Sequence, residues 1–359
     1  MRAVRAAGST VKAGRTRRVT LKDVAREAGV SVGMASRVIS RYGSYSEETA
    51  RRVLEAARRL DYRPNMLARS LRVGRTRAIG LVASYLVTPA LTTFARDVDA
   101  VATQHSLQVL VGAVSDPAAE GTYLRTLHQH NVAGIIASPS PASEPVVAEL
   151  VATGLPMVLV GNDNPELGAS RVNLADHEAG RAATEHLLAL GHERVALLTG
   201  AVGLGSGRRR LEGYRAALAG ARLEPDDALV RAGLASADDA YEATERLLDL
   251  SEPPTAIVVA DERLAGAVLR CLKDRDVSVP GQLSLVTFDD PPWATFYRPA
   301  VTAMRVPWAR VARLAVETLL APAPGRAAAA PDVHVVDLEL VVRESTAPRS
   351  PVPRGRRRR

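Results

Sequence analysis

A single cysteine, Cys271, among 359 residues leaves nothing to pair with, so a fold stapled by internal disulfides is excluded. No group of cysteines and histidines has zinc-finger spacing, which removes a structural zinc domain as well; no cofactor or metal is expected. No apolar run approaches the roughly 18 residues that a membrane helix needs, and the N-terminal stretch has no apolar core of the kind that directs secretion. The expectation is a cytoplasmic chain without membrane contact. Apolar residues at 47% and charged residues at 24% are ordinary globular values, so wholesale disorder is excluded too. The length makes room for two or three domains.

The charge is divided unevenly along the chain. Residues 1–75 carry 18 basic and 6 acidic side chains, net +12, whereas 76–345 carry 23 and 33, net −10. Residues 346–359 add six arginines and no acid. A basic head on an acidic body means that a polyanion is met by the head and repelled by the body. The two ends, 1–18 and 346–359, read as disordered basic extensions.

Within the head, Thr20 is an N-cap with Asp23 three residues on, and Leu21, Val24, Ala25 and Ala28 recur at helical spacing. Gly29 supplies a left-handed turn, Ser31 caps a second helix, and Ala35, Val38 and Ile39 form its buried stripe. This is the spacing of a helix-turn-helix. The second helix leaves Val32, Gly33, Met34, Ser36 and Arg37 on its outer side, where its N-terminal half would enter a major groove. Arg37 is the best base reader of the set, because a guanidinium grips guanine bidentately; a phosphate contact or a solvated charge is the alternative. A third helix begins at Ser46, with Val53, Leu54, Ala57 and Leu60 expected to face the core. Residues 65–74, capped by Asn65 and with Leu67 and Leu71 one turn apart, form a helix too short to be stable alone, so it should order only against a partner.

Residues 19–75, from VTLKDVAREAGVS to the hinge segment NMLARSLRVGRT, resemble the DNA-binding head of the lactose/galactose repressor (LacI/GalR) family. The resemblance implies base reading by Val32, Gly33 and Arg37 and a minor-groove wedge at Leu71, with Thr20, Ser31, Ser36 and Asn65 also at the DNA. It implies a homodimer on a palindromic double-stranded operator. The head departs from the family at Met34, Ala35, Ser40 and Asp61, where Thr, Val, Asn and Gly or Asn are usual.

Beyond Gly74, short apolar runs at Ile79–Val82, Gln108–Gly112, Gly134–Ala137, Pro156–Gly161, Arg194–Thr199, Ala256–Val259 and Leu283–Phe288 alternate with helical patterns. Repeated βα units give parallel sheets wound with helices, and seven strands over some 200 residues suit two sheets with a cleft between them. The resemblance implies a periplasmic-binding-protein-like body of two subdomains joined by three crossings. The expected division is a basic extension 1–18, a head 19–63, a hinge helix 64–75, a body 76–345 and a tail 346–359. Within the body, 76–175 with 306–330 would form one subdomain and 176–305 with 331–345 the other.

An α/β body also hosts enzymes. Here Gly200, Gly203, Gly205 and Gly207 lack dinucleotide-binding order, no phosphate-binding Gly-Lys-Ser/Thr occurs, and Ser206 lacks a nucleophile elbow because Leu204 takes the first glycine position. The histidines are expected in solvated or capping roles. No catalysis is expected, and a solute-binding protein or an α/β enzyme is the disfavoured alternative. For an effector, the resemblance implies Arg210 as the arginine that grips ligand oxygens, against a surface charge, and Asp289 as the ligand-binding carboxylate, with Asp290 structural. Trp293 could stack on a sugar face or belong to the core. Ala260, Val306 and Gly161 stand where the family has polar side chains, which favours a different or less hydroxylated ligand than a plain sugar, or none. The sequence thus predicts a DNA-binding regulator, in the sense of a repressor, responding to a small-molecule effector such as a sugar or related metabolite.

Overall fold

The computed structural model describes residues 19–40, 42–62, 76–84, 88–114, 117–202, 205–321 and 330–349. The expected hinge helix, with Asn65 and Leu71, and both basic extensions up to 18 and from 350 lie outside the described residues. The chain divides into two compact units, Met1–Thr76 and Arg77–Arg359.

The first unit holds α1 (Leu21–Ala28), α2 (Val32–Ser40) and α3 (Glu47–Arg59). Each begins where the sequence supplies a cap. The Thr20 backbone N–H donates to Asp23 Oδ2 at 2.9 Å, the Met34 N–H to Ser31 Oγ at 3.1 Å, and the Thr49 N–H to Ser46 Oγ at 3.2 Å, satisfying donors that a helix start leaves free. Gly29 ends α1 at φ 64°, a conformation that costs glycine little. Arg52 then donates to the Ala28 carbonyl at 2.6 Å, fastening α3 to the end of α1. Val24, Ala25, Ala28, Ala35, Val38, Val53, Ala56 and Ala57 form the core. Leu54 is exposed instead, and Ala56 takes the inward place. The reason is angular: with Val53, Ala56 and Ala57 inside, position 54 is turned about 100° away.

The second unit contains two six-stranded sheets. The first lobe is built from β1 (Ala78–Ser84), α4 (Pro89–Gln104), β2 (Gln108–Val114), α5 (Pro117–Gln129), β3 (Ile135–Ser138), α6 (Glu144–Ala152), β4 (Met157–Val160) and β5 (Ser170–Leu174). The chain then crosses to the second lobe: α7 (Asp176–Ala189), β6 (Val195–Leu198), α8 (Ser206–Gly220), β7 (Val230–Arg231), α9 (Ala237–Leu248), β8 (Ala256–Val259), α10 (Glu262–Asp274), β9 (Ser284–Phe288), α11 (Trp293–Phe296) and β10 (Thr302–Arg305). It returns for α12 (Trp308–Leu320) and β11 (Val333–Val336) and crosses a third time to β12 (Glu339–Val341). The strand orders are β11-β5-β4-β3-β1-β2 and β12-β10-β9-β8-β6-β7. All pairs are parallel except β10 with β12.

The seven apolar runs became β1, β2, β3, β4, β6, β8 and β9; strands covered on both faces by helices are apolar throughout, and β2 is the exception, an edge strand with Leu110 and Val111 exposed. One expectation is corrected. Residues 333–336 pair with β5 and complete the first sheet, so the last crossing lies at 337–338 rather than at 330. The alternating exposure of this edge strand, with Val333 and Val335 outward, hid it among loop residues.

Helices α7 and α8 cross so closely that a Cβ on Gly180 would overlap the Arg210 backbone, and one on Gly213 would overlap the His177 carbonyl. That crossing sets where Arg210 lies. Gly213→Ala therefore forces backbone to move, and we expect a loss of about 1–3 kcal/mol, read as a lower denaturant midpoint of the body's unfolding. An unchanged midpoint would mean that the crossing is not rigid.

Candidate functional site

On the head, the outer face of α2 presents Val32, Gly33 and Arg37 to solvent, with Ser31 exposed at the cap and Ser36 half-buried. Thr20 is exposed, and its hydroxyl donates to Asp23 Oδ2 at 2.7 Å. The face expected to read bases is thus a continuous outward surface, held by a core on the opposite side of the same helix.

In the body, a cavity of about 270 Å³ opens between the lobes. The first lobe contributes Ala90 and Asp97 from α4 and Trp308 at the start of α12; the second contributes Glu262, Asp289 and Asp290. Trp308 is set by a tilted contact with Phe94, ring centroids 5.4 Å apart. Several contacts among the described residues bridge the lobes, side-chain hydrogen bonds of Thr88 with Glu262 and of Trp308 with Asp289 among them. The Ala90 N–H donates to Glu262 Oε2 at 3.4 Å. Asp163, just past β4, accepts from Arg208 Nη2 at 2.8 Å and Arg209 Nε at 3.0 Å on α8. Burial pushes the Asp163 carboxyl up, but the two guanidiniums outweigh it and hold the group below its ordinary value.

Of the effector residues expected, Asp289 lines the cavity. Arg210 is not among its lining residues. It is buried, donating from Nε to Asp176 Oδ1 at 2.7 Å and from Nη1 to the Ala260 carbonyl at 2.9 Å, with its guanidinium 4.2 Å from the Phe288 ring centre. It supports the cavity from behind, and is neither a surface charge nor a wall group. Trp293 is corrected in the same way: it packs on the second-lobe core with Tyr297 and does not line the cavity. The aromatic wall is Trp308, whose position on a helix of the other lobe no local pattern reveals. Asp290 is structural, its Oδ2 accepting from Arg305 at 2.9 Å and Arg343 at 2.7 Å.

Glu262 and Asp163 were missed. Glu262 follows the helix cap Asp261, so it reads as a first-turn acid complementing a helix dipole; only the approach of α4 makes it a cleft residue. Burial, then the Asp289 charge, pushes Glu262 up to about 7. Burial pushes Asp289 up to about 6, with Arg210 opposing and Asp261 and Asp176 adding to the rise. The histidines are more committed than expected: His192 contacts the Thr255 hydroxyl and the Ala347 carbonyl, each at 3.0 Å, fastening the segment after β12.

A small-helix head with an outward second helix, joined to a two-lobed α/β body with an interlobe cavity, defines a DNA-binding regulator built on a ligand-binding scaffold. Family models agree: the bacterial regulatory proteins of the lacI family match residues 20–65, and the periplasmic binding protein-like domain matches 184–346. The HTH-type transcriptional regulator DegA of Bacillus subtilis (strain 168) is 31% identical over 335 residues, 92% of this chain and 99% of its own length. The solved lac repressor dimer, bound to operator and the anti-inducer ONPF, is 28% identical with a TM-score of 0.81, covering 92% of this chain and 99% of that one. The transcriptional regulator CelR in complex with cellobiose is 29% identical with a TM-score of 0.68, over 91% and 100%. The chain belongs to the lacI family of bacterial regulatory proteins, and it is a DNA-binding transcription regulator. No helix among the described residues is long and apolar enough to cross a membrane.

Two measurements check the site. Arg210→Ala leaves Asp176, 2% exposed, as an uncompensated buried charge, and a loss of about 3–5 kcal/mol of stability is expected; a loss below about 1 kcal/mol would show that the pair is solvated. Glu262 and Asp289 both have folded values above their ordinary 4.5 and 3.8. Their contribution to stability is therefore full below those ordinary values and is lost as pH rises through the folded ones, because the folded state holds the extra proton. Glu262→Gln removes one of these titrations, so its melting temperature should gain on the parent's between about pH 5 and about pH 8. Parallel profiles would assign Glu262 an ordinary, solvated carboxyl.

Proposed function

We propose that the chain is a cytoplasmic repressor that binds a palindromic double-stranded operator as a homodimer and releases or tightens that grip when a small molecule occupies the interlobe cavity. The observation that carries the DNA half is the exposed outer face of α2, anchored at Ser31 and carrying Val32 and Gly33 in its first turn and Arg37 in its last, in an N-terminal segment, residues 1–75, of net charge +12. Arg37 reads a guanine in the major groove, with Val32, Gly33 and Ser36 against neighbouring base edges. Thr20 and Ser31, as caps, stand where helix N-termini meet phosphates. Asn65 and Leu71 supply the hinge and its minor-groove wedge.

For the ligand half, the cavity between two lobes is the place where α/β folds take small molecules, and the lac repressor and CelR structures carry ligands by their own descriptions. Asp289 is the polar anchor, Arg210 its support, and Trp293 a core residue that shapes the wall only indirectly. A ligand shifts operator binding by its differential affinity for two states of the body. No catalysis is assigned, in keeping with relatives that are described as transcription regulators and repressors.

The test is a gel shift of the full chain on operators selected from random duplex DNA. Selected sites are expected to be two-fold symmetric, with affinity falling steeply with salt as the head releases phosphate counterions. Arg37→Ala should cost about 1–3 kcal/mol on the selected site and little on random duplex. Equal loss on both would reduce Arg37 to a phosphate contact, and half-sites bound as tightly as palindromes would remove the dimer.

A further inference from the structure

The cavity wall has acceptors in excess and few free donors. Four of its side chains are carboxylates, Asp97, Glu262, Asp289 and Asp290. Three carry an oxygen that is buried and without a hydrogen-bond partner: Glu262 Oε1, Asp289 Oδ1 and Asp290 Oδ1. Glu262 as a whole is 9% exposed, so its unpartnered oxygen is not solvated from elsewhere. The one guanidinium on the wall, Arg305, is occupied by Asp290 and by Glu339. The cations behind the wall are committed as well: Arg343 to Asp290 and the Val301 carbonyl, Arg96 to Asp97, and Arg210 to Asp176 and the Ala260 carbonyl. Val306 and the prolines 291, 292 and 307 add no donor; Thr93 adds one hydroxyl, and the Trp308 indole N–H is already directed at Asp289.

A neutral polyol is poorly served by such a wall. Each hydroxyl donates one hydrogen and brings two lone pairs that need donors of their own. An ammonium group brings three donors and no acceptor. Its charge also answers the carboxylates, which burial first and neighbouring acids second hold above their ordinary values, Asp289 acting on Glu262 and Asp261 and Asp176 on Asp289. Trp308 and the prolines form the apolar remainder, and an indole face suits a cation beside it.

We infer that the interlobe cavity takes a small primary amine, its ammonium seated between Glu262 and Asp289 and its uncharged body against Trp308. The ligand is small, because about 270 Å³ falls at the low end of small-molecule pockets, about 300–1,000 Å³. The inference rests on the reading of this cavity as the effector site and names the chemistry it selects.

The experiment uses the full-length protein and matched pairs that differ in one group: cyclohexylamine against cyclohexanol, and glucosamine against glucose, each titrated by calorimetry near neutral pH and ordinary ionic strength. The amine of at least one pair is expected to bind at least tenfold more tightly than its alcohol. Glu262→Gln and Asp289→Asn should each reduce that preference at least tenfold while leaving the far-ultraviolet spectrum unchanged. Alcohols binding as well as amines, a preference that survives both substitutions, or no binding by any of the four probes would each overturn the inference. Operator affinity measured in the same samples separates the two readings: amine binding that leaves it unchanged keeps the cavity's chemistry and removes its role as an effector site.

Discussion

Burying a guanidinium costs several kcal/mol unless its charge and its N–H groups are met, and Arg210 is met from three directions. Asp176 at the start of α7 takes Nε, the carbonyl that ends β8 takes Nη1, and the ring of Phe288 on β9 lies against its face. One side chain thereby fixes the spacing of two helices and two strand ends directly beneath Asp289. The geometry is possible because Gly180 and Gly213 let α7 and α8 approach to backbone contact. The same charge acts on Asp289 above it, opposing the burial that raises that carboxyl. Arg210, expected to grip a ligand, is held in this buried network, and Glu262 and Asp289 are carboxylates of the cavity wall.

Much of this was legible in the chain. The head was readable almost to the residue, because its signals are local: caps at Thr20, Ser31 and Ser46, a glycine turn at Gly29, and apolar positions at helical spacing. Six of the seven strands read from the sequence were legible because parallel strands buried on both faces are unbroken apolar runs, and the seventh, β2, is an apolar edge strand. The five strands that escaped lack that signature: β5 carries Ser170, Arg171 and Asn173, β10 is only four residues long and bounded by Thr302 and Arg305, β11 alternates at a sheet edge, and β7 and β12 are two and three residues long. At the site, Asp289 was legible as an acid ending a strand. Glu262 and Trp308 were not, since what makes them neighbours is the approach of two lobes whose relevant residues are separated by more than 40 positions. Trp293 and Trp308 are indistinguishable by local pattern, and only packing sends the first to the core and the second to the cavity.

The unequal charge acquires a structural meaning in the same way. The described basic side chains of the head, Arg26, Arg37, Arg51 and Arg59 among them, are exposed around a small alanine-rich core, where they can face a polyanion. In the body the excess of acid is partly spent inside, where Asp176 and Asp290 are paired with arginines and the cavity carboxylates are left short of donors. A body that repels DNA and a cavity that lacks donors are two results of one compositional bias.

The three crossings between the lobes leave from neighbouring strands. β5 and β11 lie side by side at one edge of the first sheet, and β10 and β12 at one edge of the second. Three tethers set in a row behave as the spine of a book: they resist sliding and twisting and leave one soft rotation, about the line they define. Displacement then grows with distance from the spine. Asp163 follows β4, the third strand in, whereas Ala90 follows β1, the fifth. In the second sheet the order reverses, Glu262 following β8, the fourth strand in, and Arg208 and Arg209 following β6, the fifth, so both bridges stand well out from the spine. The far edge becomes the sensitive end of the hinge, where a small force has the greatest mechanical advantage.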